Sequence, residues 1–193
     1  MSGQITRITK CWFLAMVLML SGQSLAAQAI LAPPFGLQWG DTPDKVLDWA
    51  EAKKLDVHIK IPGHKPEVRE LRVSSESGPL PGHQAYALEA LYHWGKLYEV
   101  TLHYGAPGMK PAKVRASFNK LKSSMTVKHG VFSPNNKKEE KSEGFVRRSV
   151  SYHVEPVAGL LLLMSLTEFE DTLRKKRSAR FSLLYRNQNI IPK

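Results

Sequence analysis

The stretch YALEALYHWGKLYEVTLHY, Tyr86 to Tyr104, decides the fold. Tyr86 to Tyr92 and Leu97 to Tyr104 are apolar, tyrosine-containing runs that flank HWGK, with Gly95 in the turn. Two such runs around a short glycine-containing turn predict a β-hairpin. Side chains alternate across a strand, so Tyr98, Val100, Leu102 and Tyr104 are expected inward, with Glu99, Thr101 and His103 on the other side.

Upstream lies FGLQWGDTPDKV, Phe35 to Val46. Phe35, Leu37 and Trp39 alternate with small or polar residues, which predicts a short strand ending at Gly40. Thr42 is placed to cap a helix, and Pro43 suits its first position, where the missing N–H costs nothing. Asp44 favours the positive helix end, and Val46, Trp49, Ala50 and Lys53 follow at helical spacing. Val57 to Ile61 and Val68 to Val73 are further strands, and residues 74–84 form a loop.

Downstream, GAPGMKP breaks the chain and Pro111 opens a second helix. Its apolar stripe is Val114, Phe118, Leu121 and Met125, with Lys113, Arg115, Lys120 and Lys122 opposite. Residues 133–143, SPNNKKEEKSE, read as a mobile polar loop. Strands are expected over Phe145–Val154, Leu160–Thr167 and Ser178–Arg186. PDKV at 43–46 recurs as PAKV at 111–114, each starting a helix followed by about three strands. The expected fold is α+β, a single domain over residues 30–193. It comprises two α-β-β-β units, residues 35–105 and 110–187, with both helices packed on one face of an antiparallel sheet.

This order of elements, with WGDTPDKV at the first helix start, resembles secreted β-lactamase inhibitory proteins and small lipoproteins of the outer-membrane assembly machinery. The chain differs from the lipoproteins in lacking an acylated cysteine and from the inhibitors in lacking cysteine pairs. The resemblance implies a binding scaffold and carries no binding residue across.

Residues 1–29 read as a secretory signal peptide: Arg7 and Lys10, the apolar run Trp12–Leu20, then Ala27-Gln28-Ala29 as a cleavage site. The apolar run is shorter than the roughly 20 residues of a membrane-crossing helix. No membrane span is expected after cleavage, and the destination is the periplasm or the exterior. The one cysteine, Cys11, precedes the apolar run, so the mature chain is expected to hold no disulfide and no thiol nucleophile.

With 28 basic and 17 acidic residues and a net charge of +11, the chain suits anionic partners. LRKKRSARFSLLYR, 173–186, sets Arg174, Lys175, Lys176, Arg177, Arg180 and Arg186 around Phe181 and Tyr185, with Arg147 and Arg148 on a neighbouring strand. Such a patch suits an acidic glycan or an acidic protein face. Secretion argues against nucleic acid.

Catalytic patterns are few. The seven histidines make no close ligand pair, so neither metal nor cofactor is expected. G-x-S-x-G and Gly-rich phosphate loops are missing. Asp41-Thr42 and Asp171-Thr172 are similar to the paired Asp-Thr-Gly of aspartic proteases, without the glycine. A Glu89–Glu99 pair across the hairpin is the two-carboxylate glycosidase alternative. The leading expectation is a secreted non-catalytic binding protein for an acidic glycan or a protein partner. The alternative is a small secreted hydrolase, an aspartic-type protease acting on extracellular glycoprotein through Asp41 and Asp171.

Overall fold

The computed structural model describes residues 31–191; the expected signal peptide lies outside them. Helix α1 spans Pro43–Ala52 and is followed by β1 (Asp56–Lys60), β2 (Val68–Ser74), β3 (Ala87–His93) and β4 (Lys96–Tyr104). Helix α2, Pro111–His129, is followed by β5 (Ser133–Ser142), β6 (Phe145–Val157), β7 (Leu160–Asp171) and β8 (Lys176–Asn187). All eight strands form one antiparallel sheet in the order β1-β2-β3-β4-β8-β7-β6-β5. The α+β class is as expected.

Four strands follow each helix, not three. The additional one in the second half is β5, in the segment read as a mobile loop. Nine of its ten residues are exposed, so neither face carries the period-two apolar signal that marks a strand. Main-chain pairing with β6 holds it, and cross-strand charges add to that: Glu140 with Arg147 and Glu139 with Arg148. Its lysines and Pro134 also suit a sheet edge, where they discourage pairing with another chain.

Phe35–Trp39 is not a strand. Phe35 and Gly36 have φ of 63° and 74°, which coils the backbone. The expected burial of Leu37 and Trp39 does hold, and Trp39 Nε1 donates to Leu31 O at 2.7 Å. Gly40 N donates to Leu97 O, and Leu97 N to Asp41 O, both at 2.9 Å, docking this turn on the start of β4. Thr42 has extended backbone but its hydroxyl caps no helix N–H. In β4 a bulge opposite Leu91 and Tyr92 inserts one extra residue. It puts Leu97 in the core and leaves Tyr98, expected inward, half-buried.

One row of each central strand is closed off from water: Val73, Leu88, Ala90, Val100, Leu102, Leu183, Leu162 and Met164. They join one core with Val46 and Ala50 of α1 and Val114 and Phe118 of α2. Each large side chain so buried contributes about 1.5–3 kcal/mol. A chain of rings crosses this core. Phe35 lies 4.6 Å from Trp49 and 5.3 Å from His83; His83 lies 5.8 Å from Tyr104. Tyr104 stacks on Phe181 at 4.5 Å, and Phe118 meets Phe181 edge-on at 5.7 Å. Arg115 of α2 also reaches Glu168 of β7 at 2.5 Å.

The opposite face carries a polar stretch beside Leu161, Leu163 and Leu184. Arg72 opposes Glu89 on β3, and His103 of β4 opposes Ser182 on β8. Ser182 opposes Ser165, Ser165 opposes Ser151, and Ser151 opposes Asn136 on β5.

Candidate binding face

Arg72, Glu89, His103, Ser165, Thr167, Arg180 and Ser182 line a cavity of about 710 Å³, together with Tyr86, Tyr104 and Phe181. A smaller cavity of about 180 Å³ lies across β5 and β6, lined by Asn136, Lys138, Glu140, Arg147 and Ser149. Strand alternation makes both possible. On this face of β7 and β8, Ser165, Thr167, Arg180 and Ser182 stand beside Leu163 and Leu184, and their short or flexible side chains leave space above the sheet.

Glu89 sits between Arg72, which donates to it, and His103, whose Nε2 lies 3.0 Å from Oε2. This close contact does not have the geometry of an aligned hydrogen bond. The contact with His103, reinforced by the charge of Arg72, holds the Glu89 carboxyl below its ordinary pKa against the effect of burial. Glu99 is its diagonal neighbour on the same face, since Glu89 opposes Thr101 and Glu99 opposes Leu91. Burial pushes the Glu99 carboxyl up, with Arg186 Nε at 2.5 Å opposing that shift.

The expected basic patch is split by the sheet and largely neutralised. Arg148 reaches Glu170 at 3.1 Å and Glu139 at 3.6 Å, and Arg177 reaches Glu170 at 2.5 Å. Hydrogen bonds from Arg177, and then from Arg148, draw the Glu170 carboxyl down. Arg174 lies 3.9 Å from Asp171, Arg147 lies 3.4 Å from Glu140, and Arg186 belongs to Glu99. Lys175 and Lys176 are exposed at the β7–β8 turn, where Lys175 has a φ of 51°. Arg180 has no carboxylate within 4.0 Å among the described residues. Its guanidinium lies over the Phe169 ring, 5.1 Å from the centroid, and Arg147 approaches the same ring at 6.0 Å.

Asp41 and Asp171 are not brought together. Asp41 accepts from Gln38 N at 2.7 Å and meets the start of β4 through Leu97. Asp171 accepts from Arg174 N at 2.8 Å and opposes Lys176 at the far end of β8. Glu99, near the Asp41 end, opposes Arg186, so about ten strand residues, ~33 Å, separate the two carboxylates. Two carboxylates that share a proton must lie within a few Å. Both are instead accounted for by turn hydrogen bonds. Among the described residues, no three His, Cys, Asp or Glu side chains converge on a metal-sized site.

Sequence reading did not single out Arg72, Ser149, Thr167, Ser165, Ser182 or Lys138. The available signal was the hydroxyls at alternate positions of β7, where GLLLLMSL was read only as a buried strand. The chain matches no known family model, no curated protein and no solved structure.

Proposed function

We propose that this chain is an exported, non-catalytic binding protein that takes an acidic glycan on the polar face of its sheet. The observation that carries this reading is the 710 Å³ cavity, lined together by the hydroxyls of Ser165, Thr167 and Ser182 and by Arg180, which has no carboxylate partner among the described residues. A guanidinium beside neutral donors and acceptors suits a carboxylate or sulfate attached to a sugar. Protein interfaces draw their energy from buried aromatic and arginine anchors, and Tyr86, Tyr104 and Phe181 also line this cavity. A protein partner is therefore the reading the test must separate from it.

Two structural proposals accompany this. The chain is two related units of one helix and four strands, with β4 and β8, the last strand of each, meeting at the sheet centre. Both helices lie on the core side and leave the polar face open, as the ring chain from Trp49 of α1 to Phe118 of α2 suggests.

The test is retention of the purified protein on immobilised heparin and on neutral dextran across a salt gradient, for wild type and Arg180→Glu. Retention on heparin alone, weakened by salt and by the substitution, is expected. Equal retention on both supports, or wild-type retention by Arg180→Glu, defeats the reading. Tight capture of an acidic protein with no heparin retention selects the protein-partner alternative.

One observation favours a second reading, glycoside hydrolysis: Glu89 and Glu99 share a face, with carboxyls shifted in opposite directions. Each is already engaged by an arginine, which favours a structural role. New reducing ends released from the glycan, and lost in both Glu89→Gln and Glu99→Gln, would establish it.

A further inference from the structure

Arg180 on β8 opposes Thr167 on β7, Thr167 opposes Ser149 on β6, and Ser149 opposes Lys138 on β5. These four residues form one transverse row, cation–hydroxyl–hydroxyl–cation, running perpendicular to the strands. Three strand spacings separate its ends, ~14 Å. Arg180 and Thr167 line the larger cavity, and Ser149 and Lys138 the smaller. The cavities therefore border opposite members of the Ser149–Thr167 pair, whose hydroxyl oxygens lie 3.3 Å apart.

The charges sit at the ends. Arg180 has no carboxylate partner among the described residues, and Lys138 and Arg147 share the single carboxylate of Glu140, which leaves that end positive. The middle is neutral and hydrogen-bonding: one hydroxyl of the pair donates to the other, and lone pairs and the second proton remain for a ligand. We infer that the row Arg180–Thr167–Ser149–Lys138 holds an extended acidic oligosaccharide laid across the strands, with one anionic group at each end. The inference rests on the polar-face reading above.

The pattern discriminates among polyanions. A single-stranded nucleic acid brings a charge at every unit and needs aromatic platforms for its bases; the row offers no continuous cationic track, and its neighbouring ring, Phe169, already lies under Arg180. An oligosaccharide with spaced carboxylates or sulfates brings hydroxyls to the neutral middle. Its two anionic groups bind as a linked pair, so the second contact follows at high effective concentration. The Phe169 ring under Arg180 limits the freedom that the guanidinium must lose on binding.

The test is calorimetric titration of the purified protein with heparin-derived disaccharide and octasaccharide. Wild type is expected to bind the octasaccharide on the order of 10²-fold more tightly than the disaccharide. Lys138→Glu, which reverses the far end, is expected to abolish that gain, and Thr167→Tyr, which blocks the junction and removes a hydroxyl of the larger cavity, to weaken binding of both lengths. Lys138 is exposed, so its variant remains informative if Thr167→Tyr does not fold. Equal affinity for the two lengths, or a gain retained in Lys138→Glu, overturns the row and leaves the polar-face reading standing. Binding at neither length overturns both.

Discussion

Ser149 Oγ on β6 and Thr167 Oγ1 on β7 lie 3.3 Å apart, directly opposite each other on the polar face, with a cavity on either side. A cross-strand hydroxyl pair contributes modestly to folding, about 0.2–1 kcal/mol. A double-mutant cycle with Ser149→Ala and Thr167→Val should give a coupling energy within that range by urea denaturation. A value well above it would mark the pair as a structural clamp rather than the floor of a binding track.

Acid should expose the role of Glu89. Its carboxyl is held below the ordinary value by His103 and Arg72, so its stabilising contribution is complete above the unfolded-state pKa. That contribution is lost as pH falls through the lower folded-state value. Glu89→Gln should therefore flatten the acid limb of a stability profile recorded from about pH 7 to 3. An unchanged acid limb would show that Glu89 is not coupled to folding.

The Glu99–Arg186 pair should respond asymmetrically. The Glu99 side chain is 9% exposed and that of Arg186 37%. Glu99→Gln leaves a guanidinium that water can reach and should cost about 1–2 kcal/mol. Arg186→Met strands a buried carboxylate and should cost about 3–5 kcal/mol near neutral pH. Burial raises the Glu99 pKa, so the folded chain binds that proton before the unfolded chain does. Stability of Arg186→Met should recover as pH falls through that window and be lost again as pH rises. Equal costs for the two variants would contradict this account.

Phe181 joins the halves of the core, stacked on Tyr104 and met edge-on by Phe118. Phe181→Ala should destabilise by about 3–5 kcal/mol. Because the rings touch, Phe181→Ala and Phe118→Ala together should cost less or more than their sum by at least about 0.5 kcal/mol. Strict additivity in denaturant melts would mean that the two rings act independently.

Gly105 couples the fold to the site. Its φ is 97°, and an added Cβ would lie 3.1 Å from Ala179 O and 3.2 Å from Arg180 Cα. Gly105→Ala should cost about 1–3 kcal/mol in backbone strain and displace Arg180. Heparin retention should fall with it. A variant of wild-type stability and wild-type retention would refute the contact.

Much of this architecture was legible locally. Val114, Phe118 and Met125 mark the buried side of α2 at the expected spacing, and Gly95 marks the β3–β4 turn. β5 has no such mark because an edge strand exposed at nine of its ten residues needs no apolar alternation. Tyr98 was misplaced because a bulge has no signature in the alternation it interrupts. The basic cluster at 173–186 was visible as charge, but not the acids that neutralise it, because Glu139, Glu140 and Glu170 reach those arginines mostly through strand pairing.

Residue order alone set the α+β class, both helices, the central hairpin and the cationic character of the chain, because each depends on propensity and periodicity over a few neighbouring residues. Assembly set the strand order, the ion pairs and the row from Arg180 to Lys138. That row takes one residue from each of four strands, and its members become neighbours only when the register of three separate pairings is established. Register is a property of the packed sheet, where a slip of one residue would exchange the buried face for the polar one.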